Sequence, residues 1–257
     1  MPKVHIVIPA RYRSTRLPGK PLLDIHGQPM ILWTAQRAQQ ATFADSVCVA
    51  TDDVRIFAVC QKANVDVVMT DEHPSGTDRL AQVASLKGFA DDDMVINMQG
   101  DEPLVPPILL AQVKELLQNN SDCVMATLCE VIDNFEDFYK TSVVKVVKDN
   151  QQRALYFSRL PIPFDRDGNL KNELGNKPKN AFRHLGLYAY RVSLLKAFVR
   201  WQTGTLETLE SLEQLRVLEN GKRIAIDVAK VNLPLGVDTP EDLARLQQMP
   251  LTQFLSY

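Results

Sequence analysis

Short runs of apolar, β-branched residues alternate with amphipathic segments through the first half of the chain. Strands are predicted at VHIVIPA (4–10), SVCVATD (46–52), VDVVM (65–69) and MVINMQ (94–99), and helices at residues 29–41, 54–64, 79–88 and 106–120. Strands that are apolar on both faces are buried on both faces. The pattern therefore predicts an α/β fold with a mainly parallel central sheet and helices on each side.

The pattern changes near residue 122. Three strand-like runs follow one another (CVMATLCEVI, SVVKVVKD and RALYFSR), and a loop rich in proline and glycine leads to a fourth, HLGLYAYRV. Residues 205–221 are predicted as one long helix with Gly221 as its C′ residue, followed by a strand at 223–231 and a helix at 239–249. We predict a single domain over 1–257 with a β-rich insertion at about 122–192.

Composition narrows the class of protein. The 257 residues are 45% apolar and 23% charged, with a net charge of −2, which is ordinary for a globular protein and argues against a general nucleic-acid binder. No signal-peptide pattern and no apolar run of membrane-spanning length occurs. The four cysteines show no metal-site spacing, and we expect buried, reduced thiols in a cytoplasmic protein.

The loop after the first strand concentrates positive charge. The stretch PARYRSTRLPGKP (9–21) contains Arg11, Arg13, Arg16 and Lys20, and no acid precedes Asp24. Arginine and lysine here suit phosphate oxygens, although the spacing is that of neither a P-loop nor a dinucleotide fingerprint. From these residues alone, a solvated basic loop and an anion site remain equal alternatives.

Two acidic stretches also follow predicted strands. Asp101 and Glu102 come after MVINMQ, and Asp238 precedes Thr239, a predicted helix N-cap with Pro240 at the first helical position. Ligands of open α/β sheets bind at the carboxyl ends of strands. Either these acids are turn residues near helix starts, or they bind Mg²⁺ beside a phosphate. With the basic loop, they indicate metal-assisted phosphoryl or nucleotidyl transfer.

Together the motifs resemble those of one family, the 3-deoxy-manno-octulosonate (Kdo) cytidylyltransferases of lipopolysaccharide biosynthesis. The matching stretches run in the family's order over nearly the whole chain: IPARYRSTRLPGKPL, ATDD, SGTDRL, NMQGDEP, ALYFSR, RHLGLYAYR, LEQLRVLENG and GVDTPEDL. The resemblance implies a Rossmann-like nucleotidyltransferase fold, a cytosolic homodimer, and CTP and Mg²⁺ as co-reactants. It also implies transfer of CMP to the anomeric hydroxyl of Kdo, with release of pyrophosphate.

The resemblance assigns roles to individual residues. Arg11, Arg16 and Lys20 look like the catalytic triphosphate grip, while Arg13 is left to solvent. The remaining assignments cover the nucleotide, the metal and the sugar. Ala10, Ser75, Gly76 and Arg79 would surround the nucleotide; Asp101 and Asp238 would be catalytic Mg²⁺ ligands; and Gln99, Arg159, His184, Tyr188, Glu213 and Gln214 would form the sugar pocket.

Two stretches depart from the family pattern. Asp78 stands where the family commonly has Glu, and ATFADSV (41–47) lacks the usual glycine. These departures leave open a modified acceptor such as 8-amino-Kdo. The alternatives are a cytidylyltransferase for another acid sugar, such as a sialic acid, and a non-catalytic nucleotide-binding protein, which would have less need of two metal ligands.

Overall fold

The computed structural model describes residues 2–13, 17–168, 178 and 180–257. The strands are β1 (Val4–Ala10), β2 (Asp24–Ile25), β3 (Gln28–Pro29), β4 (Ser46–Thr51), β5 (Val67–Met69), β6 (Met94–Asn97), β7 (Met125–Val131), β8 (Lys145–Lys148), β9 (Ala154–Ser158), β10 (Phe182–Arg191) and β11 (Ile224–Val228). The helices are α1 (Met30–Gln39), α2 (Val54–Lys62), α3 (Gly76–Leu86), α4 (Pro107–Asn119), α5 (Phe135–Tyr139), α6 (Val192–Phe198), α7 (Thr205–Glu210), α8 (Gln214–Glu219), α9 (Pro240–Gln248) and α10 (Leu251–Leu255).

The central sheet has the order β11-β7-β10-β6-β1-β4-β5. Every neighbouring pair is parallel except those of β10, which runs antiparallel to both β6 and β7. The mainly parallel α/β fold is therefore confirmed. The chain leaves β1 for β4 on one side and later returns to β6 on the other, so a crevice opens at the carboxyl ends of β1 and β6.

The strands are buried on both faces, as their sequences predict. Along β1, Ile6 and Ile8 pack into a core with helices α1, α2 and α4, whereas Val7 packs into a second core with α3 and α6. This division follows from the two-residue alternation of side chains in a strand. A third cluster joins α1 to α9 and α10, where Phe254 is fully buried.

The predicted long helix over 205–221 is wrong, because the chain forms two short helices there. Ser211 adopts a left-handed conformation (φ 51°) and ends α7. The Arg159 guanidinium donates to the carbonyls of Glu210 (2.7 Å) and Ser211 (3.3 Å), which occupies acceptors that a continuous helix would need. Gly221, with φ 67°, does follow the end of α8, as predicted.

The segment 122–192 is closely joined to the sheet. β7 and β10 lie within the main order, while β8 and β9 stand off its path. All four cysteines are buried and free, as expected. Within the described ranges, no helix is long and apolar enough to cross a bilayer.

Candidate active site

Lys20 lies between the two aspartates that follow separate strands. Its Nζ is 2.5 Å from Oδ2 of Asp101 and 3.2 Å from Oδ1 of Asp238. The Lys20 side chain is only 13% exposed, whereas that of Asp238 is 52% exposed. Asp101 is 81 positions from Lys20 in sequence and Asp238 is 218 positions from it, yet both aspartates contact the Lys20 ammonium at the carboxyl edge of the sheet.

A tight turn holds Lys20 in this place. Gly19 has φ 69°, its N–H donates to the Tyr12 carbonyl, and its carbonyl accepts from Leu22. An added Cβ would lie 3.1 Å from the Tyr12 ring. Only glycine combines this backbone conformation with such a close ring contact, so the glycine of the basic loop serves to aim the next residue.

The Tyr12 ring is also in contact with a cation from helix α2. The Arg55 guanidinium lies 3.2 Å from the ring centroid, and Asp53 holds that guanidinium through two hydrogen bonds of 2.9 and 2.6 Å. The base of the basic loop is therefore packed against the start of α2.

Asp101 and Asp238 are brought together by backbone contacts. The Val237 N–H donates to the Asp101 carbonyl (2.9 Å), so the two segments run side by side. A Cβ at Gly100 would lie 2.7 Å from the Pro9 carbonyl, so a side chain there would force the Asp101 turn away from β1. Thr239 caps α9 in a capping box with Asp242, which confirms the predicted helix start.

The donor set suits Mg²⁺. Two carboxylates converge on the single point that the Lys20 ammonium contacts, and no cluster of three or more metal-ligating side chains occurs among the described residues. Mg²⁺ is usually bound through one or two carboxylates together with substrate phosphates, rather than by a cage made only of protein. Asp101 and Asp238 are thus the residues that would hold it.

Glu102 is a third acid at this edge, named beside Asp101 in the sequence but given no role by the family resemblance. Its Oε2 is buried with no hydrogen-bond partner in the described chain. Burial, together with the nearby carboxylates of Asp101 and Asp238, raises the pKa of Glu102 to about 8, against the opposing effect of the Lys20 ammonium. The only sequence signal for Glu102 was its place in NMQGDEP.

Lys20 also borders a cavity of about 450 Å³ at the carboxyl ends of β1 and β6. Most of the predicted nucleotide residues line it: Ala10, Arg11, Lys20, Ser75 and Gly76. Arg16 lies outside the described residues, so its part in the grip stays a prediction. Arg13 lines the same cavity but is 89% exposed and pairs with Glu72, consistent with its assignment to solvent.

Arg79 has a different environment from its predicted neighbours. It is fully buried, and its guanidinium donates to Thr70 (2.5 Å) and Asp52 (2.8 Å). The side chain thus joins the segments that follow β4 and β5 instead of lining the cavity. Arg79 therefore supports the wall of the nucleotide cavity without lining it.

A second cavity of about 810 Å³ adjoins the first, and Gly76, Gln99, Glu213 and Asp238 line both. Its lining includes five of the six predicted sugar-pocket residues: Gln99, His184, Tyr188, Glu213 and Gln214. Arg159 is not among the described lining residues, because its guanidinium is engaged with the backbone at the end of α7.

Several further polar residues, which were not predicted from the sequence, line this second cavity. Thr77, Asn97 and Tyr190 line it, and the side-chain oxygen Oδ1 of Asn97 is buried without a hydrogen-bond partner in the described chain. Tyr190 follows Tyr188 by two positions on β10, so both rings lie on the same face of the sheet. That alternation was the available signal for Tyr190.

His184 is a neutral residue of the cavity wall. Burial lowers its pKa to about 3, and its ring contacts the rings of Phe157 and Tyr188. Nε2 lies 3.0 Å from the Thr127 hydroxyl, which also lies within hydrogen-bond distance of the carbonyls of Leu185 and Leu187. The one hydroxyl hydrogen is directed to a carbonyl, so Nε2 is the donor to Thr127.

Comparison with known proteins gives one consistent family. The family described as "Cytidylyltransferase" matches residues 5–224. The chain is 64% identical to the 3-deoxy-manno-octulosonate cytidylyltransferase of Psychrobacter sp. (strain PRwf-1), over 98% of this chain and 95% of that protein. It is 58% identical to the protein of the same name from Acinetobacter baumannii (strain ATCC 17978), over 97% of this chain and 99% of the relative.

A solved structure agrees in fold. The CMP:2-keto-3-deoxy-manno-octonic acid synthetase complexed with CTP superposes with a TM-score of 0.88 at 39% identity, covering 99% of this chain and 100% of that one. A cytidylyltransferase from Leptospira borgpetersenii, at 18% identity and a TM-score of 0.63, shares the fold. The chain belongs to the 3-deoxy-manno-octulosonate cytidylyltransferase family.

Proposed function

We propose that this protein transfers CMP from CTP to the anomeric hydroxyl of Kdo and releases pyrophosphate, as a step in lipopolysaccharide biosynthesis. The observation that carries the proposal is the meeting of Lys20 with Asp101 and Asp238 where the two cavities adjoin. A cation and two carboxylates at such a junction suit the transfer of a phosphoryl group between two substrates.

The chain's own residues bind and orient. Arg11 and Lys20 face the first cavity, where their charges would bind the β- and γ-phosphates and stabilise the charge that develops on pyrophosphate. Gln99 and Glu213, which line both cavities, would orient the sugar so that its anomeric oxygen faces the α-phosphorus. The oxygen–phosphorus bond forms as the bond to pyrophosphate breaks, and no enzyme nucleophile is required.

We propose Mg²⁺ as the cofactor, held by Asp101 and Asp238. When bound, Mg²⁺ would lower the repulsion between the hydroxyl and the phosphates and help ionise the hydroxyl. Lys20 is the counterion of both aspartates in the protein alone. Its four-carbon stem would let the ammonium turn to a phosphate oxygen while the carboxylates remain in place.

The deciding experiment measures pyrophosphate release from CTP with Mg²⁺ and one acceptor at a time: Kdo, 8-amino-Kdo or a sialic acid. We expect release with Kdo well above that with sialic acid, and none without acceptor. No release with any acceptor would refute the enzyme proposal. A preference for 8-amino-Kdo would keep the class of reaction and change the acceptor.

We also propose that the protein is a homodimer in the cytoplasm, with the contact in segment 122–192. Large apolar side chains there face solvent: Tyr139 is 64% exposed, Leu160 64% and Phe164 88%. Exposed apolar groups of this kind are typical of interfaces. Phe164→Glu should give a monomer by light scattering, whereas Leu86→Glu, on the exposed side of α3, should stay dimeric. A monomeric wild-type protein would refute this proposal.

A further inference from the structure

Thr77 joins the two cavities through one hydrogen bond. Its Oγ1 donates to Oε2 of Glu213 at 2.7 Å, across 136 positions of sequence. Thr77 is in the first turn of α3 and is 4% exposed. The residues just before it, Ser75 and Gly76, line the nucleotide cavity, while Glu213 lines both cavities.

The Thr77 hydroxyl is not needed to cap its own helix. Ser75 is the N-cap of α3, and its side chain accepts from the N–H of Asp78 (3.1 Å). A threonine within a helix often donates to a carbonyl one turn earlier. Here the hydroxyl reaches a carboxylate on another element, and removing it leaves the cap of α3 intact.

Glu213 depends on this contact for its orientation. Among the described residues, only Thr77 hydrogen-bonds its carboxylate. The Glu213 backbone immediately precedes α8, two residues after the left-handed Ser211. Arg159 fixes that break through the carbonyls of Glu210 and Ser211. Arg159 therefore sets where the Glu213 backbone lies, and Thr77 sets where its carboxylate points.

Tyr190 of β10 lines the second cavity together with Thr77, and it is only 3% exposed. The Thr77–Glu213 pair thus lies between the central sheet and the mouth shared by the two cavities.

We infer that Thr77 is a positioning residue. Its hydroxyl fixes the Glu213 carboxylate so that this carboxylate can bind the hydroxyl groups of the acceptor sugar, and it links the carboxylate to the nucleotide-binding start of α3. The inference rests on the proposed function. A hydrogen bond from a neutral donor to a carboxylate is stronger than one between two neutral groups. The loss of Thr77 should therefore weaken acceptor binding substantially while leaving the CTP contacts of Ser75 and Gly76 in place.

The test compares Thr77→Val, which keeps the shape and removes the donor, with Thr77→Ser, which keeps the donor. With Kdo and CTP varied separately, we expect Thr77→Val to raise KM for Kdo about tenfold or more, in line with the loss of a charged hydrogen bond. KM for CTP should change less than about twofold, which is small beside the change expected in KM for Kdo. Thr77→Ser should restore most of the affinity for Kdo.

A double-mutant cycle with Glu213→Gln separates positioning from general damage. If Thr77 acts through Glu213, the double variant should bind Kdo no more weakly than Glu213→Gln alone. Additive losses, or an equal rise of both KM values in Thr77→Val, would overturn the inference.

A second variant keeps the test independent of folding. Should Thr77→Val fail to fold, Thr77→Ala removes the same donor with a smaller side chain and should raise KM for Kdo while KM for CTP stays constant within error. An unchanged KM for Kdo in that variant would equally overturn the inference. An inactive wild-type protein would instead refute the proposed function, so the two failures are distinguishable.

Discussion

The Nζ of Lys20 lies 2.5 Å from Oδ2 of Asp101, and this contact joins the basic loop after β1 to the acidic turn after β6. The ammonium is nearly covered and Asp238 lies on its other side. The single ammonium thus offsets part of the negative charge of the two carboxylates. CTP and Mg²⁺ would replace this pairing with phosphate–cation and carboxylate–cation contacts.

Lys20→Met should weaken the use of CTP more than the use of Kdo. The change removes the ammonium from the nucleotide cavity, and a charged hydrogen bond to a phosphate is worth about 1.5–3 kcal/mol, or roughly 10- to 100-fold in kcat/KM for CTP. Steady-state kinetics with each substrate varied would measure this difference. Arg13→Met, in the same loop but 89% exposed, is the control and should stay near wild type. Equal losses for CTP and Kdo in Lys20→Met would contradict the triphosphate grip.

Asp101→Asn should reduce kcat by about a thousandfold, the equivalent of several kcal/mol of charge stabilisation by the metal. The fold should survive, because Lys20 keeps Asp238 as a partner. Turnover would be measured at increasing Mg²⁺, and circular dichroism would verify the fold. The matched variant Asp78→Asn, within the α3 cap, should keep most of the activity at the same Mg²⁺. A wild-type rate in Asp101→Asn would exclude Asp101 as a metal ligand.

Lys145→Met should destabilise the protein by about 3 kcal/mol or more. Lys145 is fully buried on β8, and its Nζ donates to the carbonyls of Lys140 (2.9 Å), Val143 (2.6 Å) and Arg159 (2.6 Å). Methionine fills a similar volume but removes the ammonium from the Val143 and Arg159 carbonyls, whereas the Lys140 carbonyl keeps the Val143 N–H as a donor. Each buried group left without a donor costs about 1–3 kcal/mol. Denaturant unfolding would measure the loss. Lys148→Met, on the same strand and partly exposed, should lose far less.

Stability should fall as the pH is lowered from about 6.5 towards 3, in part because of His184. Burial lowers its pKa in the folded protein to about 3, from the ordinary value of 6.5. Within this window the unfolded chain binds a proton that the folded protein does not, so the free energy of unfolding rises with pH. The contribution approaches about 1.4 kcal/mol per pH unit.

His184→Gln keeps a donor for Thr127 and cannot titrate. Its free energy of unfolding, measured by denaturant titration at several pH values, should depend less steeply on pH between 3 and 6.5 than that of the wild type. Equal slopes in the two proteins would show that the folded protein accommodates a charged His184.

The local pattern of the sequence predicted the parallel sheet, because continuous apolar strands need cover on both faces. It also placed the basic loop and Asp101 at strand ends, which a parallel sheet puts on one edge, whereas Asp238 lies ten residues beyond the end of β11 and not at a strand end. Pattern alone missed the antiparallel direction of β10 and the interruption between α7 and α8. The acidic run at 205–213 has good helix propensity, but the guanidinium of Arg159, the residue that follows β9, donates to the carbonyls of Glu210 and Ser211.

The sequence by itself therefore determined the family, the layered fold and the place of PARYRSTRLPGKP at the sheet edge, since each follows from local periodicity or from contiguous motifs. Only the tertiary structure decided that Lys20 faces both aspartates, that Arg79 turns away from the cavity to join Thr70 and Asp52, and that Thr77 holds Glu213. These relationships depend on hydrogen bonds between segments far apart in sequence. Their distances and directions are fixed by how helices and strands pack, and periodicity carries no information about that packing.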